Sequence, residues 1–546
     1  MQKLGAVSPM ANFHFNLAFW AFEPRSANNR SRYFWTAIEQ IFIFAQAGGR
    51  SLEIGHFGVY ASSDNPASTF IDAIPPDFEV GSAQSFRVAN EWLHDCVANH
   101  EKCPSSASGP LPTRVLDVCP NYGLEKLRLH ASHEEKDQYA ALSYCWGGPQ
   151  PIVTTLESLE SHQRELGIRY LWIDALCIIQ DSLEDKGREL DKMGAIYKNA
   201  LLTISASSAA SCKDGFLQTR IPNHTPERFL LPFRCPDETM GSVIIQSEID
   251  EGSRTLPAID KRGWTFQERS LSPRLLIYGE QGLSFDCQAG EKRNGGRAVK
   301  WKPWDDWRAN NPIFTKHEGD IEKLQRAWCF MVENYASRSL TFPEDKLTAI
   351  SGVVGEFKRF FRGDEYLAGL WKVWILEFQY PGLVWFVNTL EDGRLYPRPK
   401  EYRAPSWSWA IVDGDVIYAS KYDMGSSSFA EGLMFVSCKV EPAPLNRVSG
   451  GDLVLEGRLQ PALWDVKNLD LTKGDGESAD CYTLLDAIES VTGDNLLDVW
   501  CLQVRTNQGI ILRKIGEGMY QRKGWFRTKN DGNWFEDRET VKLKIL

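Results

Sequence analysis

The first strong pattern along the chain is a set of three short apolar runs. They are YAALSY (139–144), IRYLWID (168–174) and ALLTIS (200–205). Runs of this length, rich in apolar residues and bounded by polar or turn-forming residues, predict strands that are buried on both faces of a sheet.

The two stretches between these runs have helical spacing of their apolar residues. They are TTLESLESHQREL (154–166) and SLEDKGRELDKMGAIYKNA (182–200), and in the second one Ser182 followed by Asp185 predicts a capping box at the helix start. The apolar stripe predicted for this second helix is formed by Leu183, Leu190, Met193 and Tyr197.

Strand, helix, strand, helix and strand in this order predict a β-α-β-α-β unit with a parallel sheet. Polar, turn-forming residues follow all three strands: residues 145–148 after the first, Asp174 and Cys177 after the second, and residues 205–208 after the third. Because ligands of such sheets bind outside the carboxyl ends of the strands, we expect a candidate site at this edge. The glycines in Cys-Trp-Gly-Gly would allow close backbone approach there.

The rest of the chain is patterned less regularly. A hairpin is predicted for RLLIYGEQGLSFDC (274–287), and a helical stretch at about 317–380 precedes a Gly-punctuated, β-rich C-terminal third. We therefore divide the chain into a weakly patterned N-terminal extension (1–85), a helical segment and linker (86–134), a central α/β domain (135–290) and a helical then β-rich C-terminal region (291–546).

Length and charge narrow the class of protein. A chain of 546 residues is too long for one core, so two or three domains are expected. The net charge of −11, with no concentrated basic face, argues against nucleic acid as a partner. The twelve cysteines are scattered, which favours reduced thiols in a cytoplasmic protein. The apolar run at 13–22 is too short to span a bilayer and has no basic leader, so we expect neither a signal peptide nor a membrane span.

Two cysteine patterns need weighing. Cys145-Trp146 is similar to the pair found in papain-like proteases, but no histidine occurs in a recognisable catalytic context, so that reading is disfavoured. Cys96, His100 and Cys103 lie at i, i+4 and i+7, and Cys119 would be a fourth ligand; this spacing suits zinc ligands and equally suits a buried helix face. We assign no metal site from the sequence. P-loop, zincin and α/β-hydrolase motifs do not occur.

Three blocks of the sequence resemble the fungal heterokaryon incompatibility (HET) domain in order and spacing. They are ALSYCWGG (141–148), the pair LWIDALCIIQDSLEDKGREL (171–190) and MGAIYKNALLTISA (193–206), and RGWTFQERSLSPR (262–274). Five further segments resemble the regions that flank the HET domain in full-length HET-domain proteins. They are WLHDCVANHEKC (92–103), LPTRVLDV (111–118), SRSLTFPEDKLTAISGV (337–353), YLAGLW (366–371) and YRAPSWSWA (402–410).

The resemblance implies a fungal cytoplasmic protein of self/non-self recognition, a form of innate immunity, that triggers programmed cell death through protein partners or self-association of its HET domain. It also implies a fold similar to Toll/interleukin-receptor (TIR) domains, that is, an α/β, flavodoxin-like parallel sheet with helical and β-rich flanking regions. Some TIR domains cleave NAD, so NAD is implied as a substrate rather than as a bound cofactor. Their catalytic glutamate has no counterpart in SCKDGFLQTR (211–220), where Asp214 is the nearby carboxylate.

If the site cleaves a glycosidic bond, it needs a carboxylate. Glu268 is the first candidate and Glu189 the second. The structural alternatives are an ion pair with Arg262 or Arg269, or a helix cap, for Glu268, and a solvated helix face shared with Asp185 for Glu189. The predicted ligand-binding residues of the strand-end site are Tyr144, Cys145, Trp146, Gly147, Gly148, Asp174, Gln180, Asp181, Ser205, Ser207, Trp264 and Gln267.

Several structural alternatives stay open at this stage. Asp174 suits a turn or cap, and Trp146 and Trp264 suit packing as well as base stacking. Three outputs are likewise compatible with the sequence: an NAD-hydrolysing enzyme, a scaffold that acts by assembly, and a degenerate paralogue without output.

Overall fold

The structure is a computed structural model of the whole chain. It describes residues 14–21, 38–47, 50–62, 64–71, 73–105, 109–118, 128–148, 168–220, 228–247, 256–295, 321–361, 363–376, 382–389, 395–419, 429–474, 476–488, 495–529 and 534–546. The helix predicted at 154–166 lies outside these residues. None of the helices in the described parts of the chain has the length and apolar composition needed to cross a membrane.

The helices are few and mostly short. The α-helices are α1 (Ala83–Asn99), α2 (Asp174–Cys177), α3 (Leu183–Asn199), α4 (Trp264–Leu271), α5 (Ile321–Ala336) and α6 (Ser351–Phe357). The 3-10 helices span Pro66–Thr69, Ala258–Lys261, Pro343–Lys346, Thr348–Ile350, Lys372–Trp374 and Trp409–Ile411.

Strands dominate the described residues. The first fifteen are β1 (His14–Ala21), β2 (Ile38–Ala47), β3 (Arg50–Tyr60), β4 (Gly109–Pro110), β5 (Arg114–Asp117), β6 (Arg128–Ala131), β7 (Lys136–Asp137), β8 (Tyr139–Ser143), β9 (Tyr170–Trp172), β10 (Leu202–Ser205), β11 (Arg228–Arg234), β12 (Met240–Ser247), β13 (Arg274–Gly279), β14 (Gly282–Cys287) and β15 (Gly290–Arg293). The C-terminal ones are β16 (Tyr366–Leu367), β17 (Leu370–Trp371), β18 (Trp385–Val387), β19 (Val416–Tyr418), β20 (Met434–Ala443), β21 (Arg447–Asp465), β22 (Asp470–Lys473), β23 (Cys481–Leu485), β24 (Leu496–Arg505), β25 (Gln508–Gly516), β26 (Met519–Thr528) and β27 (Thr540–Ile545).

The central sheet holds the candidate site. Its order is β15-β14-β13-β10-β8-β9-β5-β6, and its four middle strands, β13, β10, β8 and β9, run parallel. All five residues of β8 are buried, as expected for a strand covered on both faces. The three predicted strands are therefore confirmed as neighbours in one parallel arrangement, and the predicted hairpin is confirmed as β13–β14.

Helix α3 follows its sequence prediction closely. The Ser182 hydroxyl accepts a hydrogen bond from the Asp185 backbone N–H at 3.2 Å, which satisfies one of the open donors of the first turn. Met193 and Tyr197 are buried against the sheet. Leu183 was wrongly included in the apolar stripe, since it is the first residue of the helix and is 81 % exposed.

Two sheets extend beyond the elements that were predicted. The central sheet also takes in β5 and β6, which lie before residue 135, because β5 pairs with β9 in the antiparallel sense. The stretch 1–85, to which no strand was assigned, contains β1, β2 and β3, which form an antiparallel sheet in the order β1-β2-β3-β12-β11. The weak alternation of apolar and polar residues in these strands explains why they were missed.

The C-terminal region packs on the central domain through one continuous apolar core that runs from Val80 to Ile545. Its own sheet has the order β20-β21-β24-β25-β26-β23, with β22 and β27 pairing alongside. Helix α6 lies so close to α3 that a Cβ atom added to Gly194 would be 2.7 Å from the Cα of Gly352. The two backbones thus contact each other without an intervening layer of side chains.

Candidate functional site at the carboxyl ends of the parallel strands

The polar segments after the strands meet at one edge of the sheet, as predicted. The indole N–H of Trp146, after β8, donates a hydrogen bond to the carboxylate of Asp174, after β9, at 2.8 Å. The backbone N–H of Ala206, after β10, donates to the carbonyl of Ser143 at 2.9 Å. Three strand ends are therefore tied together within one small region.

Glu268 reaches this edge from helix α4. It is 4 % exposed, and its carboxyl group lies beside the hydroxyls of Ser143 and Tyr197, which oppose the rise of its pKa. Burial, reinforced by the negative charge of Asp174, raises the pKa of Glu268 to about 7. A carboxyl group with this pKa changes its protonation state near neutral pH, as a general acid or base requires.

Asp174 is the second carboxylate of the site. It is the first residue of α2, where its carboxylate accepts hydrogen bonds from the Ala175 backbone N–H at 2.6 Å and from Trp146. Burial raises the pKa of Asp174, while these hydrogen bonds oppose the rise. Asp174 and Trp146 are half-buried, so the site opens to solvent on their side.

Tyr144 and Arg262 complete the surroundings of the two carboxylates. Tyr144 is buried, and burial together with the charge of Asp174 raises the pKa of its phenol, so the hydroxyl stays protonated at neutral pH. The Arg262 guanidinium donates to the carbonyl of Tyr144 at 2.9 Å, and Arg269 contacts Asp260 at 3.5 Å. Arg269 is therefore engaged away from Glu268, whereas the positive charge of Arg262 is near enough to oppose the rise in the pKa of Glu268.

The two glycines after Trp146 have the backbone conformation that was expected of them. Gly147 has φ +71°, and a Cβ there would lie 2.3 Å from the Cβ of Ser211. Gly148 has φ +125° and faces open space. The pair thus lets the residues after β10 approach the end of β8 closely while leaving the outer side of the turn open.

Cys145 has the properties of a structural thiol. It is 3 % exposed, and burial raises its pKa, whereas a nucleophilic cysteine needs a lowered one. His162, His224 and His317, the histidines considered for a papain-like arrangement, lie outside the described residues.

Four other predicted residues lie at this edge in supporting positions. The Gln180 side chain is exposed and donates to the carbonyls of Asp174 and Ile178, both at 3.1 Å, so it braces the turn after α2. Asp181 is exposed, and Ser205 and Ser207 are buried in and just after β10.

The contacts described for three other predicted residues are with parts of the protein other than Glu268 and Asp174. These residues are Trp264, Gln267 and Glu189. Trp264 is partly buried and packs against the core. The Gln267 side-chain oxygen accepts from the Gly352 backbone N–H at 3.2 Å, which directs it to α6.

Glu189 is 1 % exposed rather than on the solvated helix face that we considered for it. It accepts a hydrogen bond from Thr113 at 2.8 Å and lies 3.4 Å from Lys192. Asp185, one turn earlier, is also buried and pairs with Arg114 at 2.5 Å. Thr113, just before β5, and Arg114, its first residue, cover this face of α3, and β5 was not predicted.

Two residues of the site were missed by sequence reasoning. Ser143 is the last residue of β8, and Tyr197 lies in the apolar stripe of α3, where both look like core residues. The Tyr197 hydroxyl donates its one proton to the Leu142 carbonyl at 2.9 Å. Their polar atoms acquire meaning only once Glu268 is placed beside them, and Glu268 is distant in sequence.

A polar cavity of about 320 Å³ adjoins the third HET-like block on its other side. The Arg338 guanidinium in its wall donates to the Arg262 carbonyl at 3.3 Å. Lys346 also lines the cavity, is 1 % exposed and donates to the Ala336 carbonyl at 2.6 Å. Burial, with the positive charge of Arg403, lowers the pKa of Lys346 to about 7.

Comparison with known proteins identifies the region that carries this site. Residues 139–268 match the family model described as heterokaryon incompatibility protein (HET). The match begins at the first residue of β8 and ends at Glu268, so it spans both carboxylates, and the resemblance seen in the three sequence blocks is confirmed. Among curated proteins and among solved structures, no match to this chain is found.

Proposed function

We propose that this protein acts in fungal heterokaryon incompatibility, where its HET domain takes part in self/non-self recognition and triggers programmed cell death. The HET match over residues 139–268 carries this proposal. We propose further that the domain is TIR-like and that the protein works in the cytoplasm through protein partners or self-association.

The order of the parallel strands supports the TIR-like proposal. Numbered along the chain, β8, β9, β10 and β13 lie in the order 2-1-3-4, which is the order of the flavodoxin-like class of doubly wound sheets. In that class a ligand binds where the strand order reverses, here between β8 and β10. Ser143 ends one of these strands, and the carboxyl group of Glu268 lies beside its hydroxyl.

We also propose a chemical output, which is cleavage of the bond between ribose and nicotinamide in NAD. The pair of carboxylates with raised pKa values at the strand ends carries this proposal. Water adds to the ribose C1′ atom, the bond from C1′ to the nicotinamide nitrogen breaks, and nicotinamide leaves as a neutral molecule. The ionised Glu268 takes the proton from water, and Asp174 stabilises the positive charge that develops on the ribose.

The test is NAD turnover by the purified full-length chain, compared between wild type, Glu268→Gln and Glu184→Gln. Glu184 is a suitable control because its side chain is 84 % exposed and pairs with Arg188 on the surface of α3. We expect Glu268→Gln to lose turnover by about a hundredfold or more, as loss of a general base commonly does, and Glu184→Gln to keep it. The assay is run at protein concentrations high enough for self-association.

Two results would overturn parts of the proposal. Absence of NAD cleavage by associated wild-type protein would refute the enzymatic output and favour a scaffold. Expression of the wild-type chain in a fungal host without loss of viability would contradict the cell-death role, and a Glu268→Gln chain that still kills would separate killing from chemistry.

A further inference from the structure

A group of three cysteines and one histidine lies at the opposite edge of the central sheet. Cys96 is in the last turn of α1, His100 is the C-cap of that helix, and Cys103 follows in the next turn. Cys287 comes from the end of β14, far away in sequence, beside the first residue of β13. The four ligand atoms all lie within 4.8 Å of one another.

The distances in this group match a tetrahedral zinc centre. The Nδ1 atom of His100 is 3.4 Å from the sulfur of Cys287 and 3.9 Å from the sulfur of Cys103. Zinc bonds of about 2.3 Å to sulfur and about 2.0 Å to nitrogen, at tetrahedral angles, place neighbouring ligand atoms roughly 3.5 to 3.8 Å apart. The two distances from His100 therefore lie within about 0.5 Å of the separation that a tetrahedral zinc ion sets between nitrogen and sulfur ligands.

The residues around the group orient its members as metal ligands are oriented. The Nε2 atom of His100 faces the carboxylate of Asp95 at 3.6 Å, and its Nδ1 atom faces the sulfurs of Cys103 and Cys287. The Arg274 guanidinium, 1 % exposed, donates to the sulfur of Cys96 at 3.2 Å. Arg274 also holds the carbonyl of Pro104, just after Cys103.

We propose that Cys96, His100, Cys103 and Cys287 bind one zinc ion. Three thiolates and one imidazole at tetrahedral spacing select zinc over calcium or magnesium, which prefer oxygen ligands. Four protein ligands leave no open position for water, so the site is structural. The ion joins α1 and its following turn to the β13–β14 hairpin of the central sheet.

The position of Cys287 favours a zinc site over a helix face that is buried only for packing. A helix face that merely packs needs apolar neighbours, whereas the hairpin supplies a fourth ligand atom, the sulfur of Cys287, at the point where the other three ligand atoms converge. Cys119, which we considered as the fourth ligand, lies outside the described residues.

The test measures metal in the full-length chain purified under reducing conditions from zinc-supplemented cells. We expect about one zinc per chain by elemental analysis for wild type and for Cys438→Ser, and less than about a tenth of that for Cys287→Ser. Cys438 is a suitable control because it is a partly exposed cysteine on β20, remote from the group. Replacing zinc by cobalt in the wild type should give the intense visible absorption of tetrahedral cobalt bound to thiolates.

Three results decide the proposal. The proposal is overturned if the wild-type protein contains no zinc and also shows no cobalt–thiolate absorption when cobalt is added to the reduced chain. This measurement does not depend on whether any variant folds. Zinc content and cobalt bands unchanged in Cys287→Ser would also overturn it, because the metal would then be elsewhere. Loss of both in Cys287→Ser, with retention in Cys438→Ser, would establish the site.

Discussion

Replacement of Glu268 by glutamine tests whether ionisation of this buried carboxyl group lowers the free energy of unfolding. Folding raises its pKa from an ordinary 4.5 to about 7. At about 1.4 kcal/mol for each pH unit, this difference corresponds to about 3 kcal/mol. Because Glu268 is 4 % exposed, solvent screens little of this effect.

The sign of the effect follows from the direction of the pKa change. The folded protein binds the Glu268 proton more tightly than the unfolded chain does, so this group contributes stability below pH 4.5 that is lost as the pH rises through 7. Glutamine cannot ionise, so the Glu268→Gln variant does not lose stability in this way as the pH rises. We therefore expect similar stability of wild type and Glu268→Gln at pH 4.5, and a free energy of unfolding higher by up to about 3 kcal/mol for the variant at pH 8.

The measurement is urea-induced unfolding followed by tryptophan fluorescence at both pH values, with Glu184→Gln as the exposed control. If Glu268→Gln is instead less stable than wild type at pH 8, the ionised carboxylate stabilises the fold, as it would in an ion pair. That result would refute the argument that the charge is retained for function at the expense of stability.

Three further changes have defined expectations. Lys346→Met should raise the free energy of unfolding at pH 6 by about 1 to 3 kcal/mol, because the lowered pKa of Lys346 means that its charged ammonium group destabilises the fold below pH 7. The gain in stability should shrink as the pH rises from 7 towards 10.5. Urea unfolding at several pH values would measure this change. Gly352→Ala should lower the free energy of unfolding by about 1 to 3 kcal/mol, because the new Cβ would lie 2.8 Å from the backbone of α3. Gly355→Ala, on the open face of the same helix, should instead raise it by about 0.5 to 1 kcal/mol. Equal thermal unfolding temperatures for the two variants would contradict the packing argument. Asp174→Asn should lower the pKa of Glu268 by removing a neighbouring negative charge. The loss of stability with rising pH should then be smaller and should end at a lower pH than in wild type, and an unchanged pH profile would show that the two carboxylates do not interact.

The elements that sequence could predict are those whose signal is local. Strands β8, β9 and β10 are short apolar runs bounded by polar residues, and α3 carries both a cap at Ser182 and an apolar stripe. The meeting of Trp146 with Asp174 followed from one general rule on the carboxyl ends of parallel strands.

The elements that sequence could not predict depend on partners distant in the chain. Strand β5 is a strand because it pairs with β9, and Glu189 is buried because the segment leading into β5 covers it. Cys287 lies in a hairpin that was predicted, but nothing in its surroundings in the sequence indicates that it lies beside His100. Spacing within one helix identifies three members of such a group, and the fourth becomes visible only when the tertiary fold is known.

The contact between Gly194 and Gly352 has a consequence for how this protein can evolve. The two residues lie on different sides of the boundary that separates the HET match from the C-terminal region, yet neither can gain a side chain unless the two helices move apart. Recombination that exchanged the C-terminal region for one with a larger residue at the position of Gly352 would separate α6 from α3, and α3 carries Tyr197 to the strand ends. Inheritance of the two regions as one unit is therefore favoured by their packing, and natural variants should vary at these two positions together or not at all.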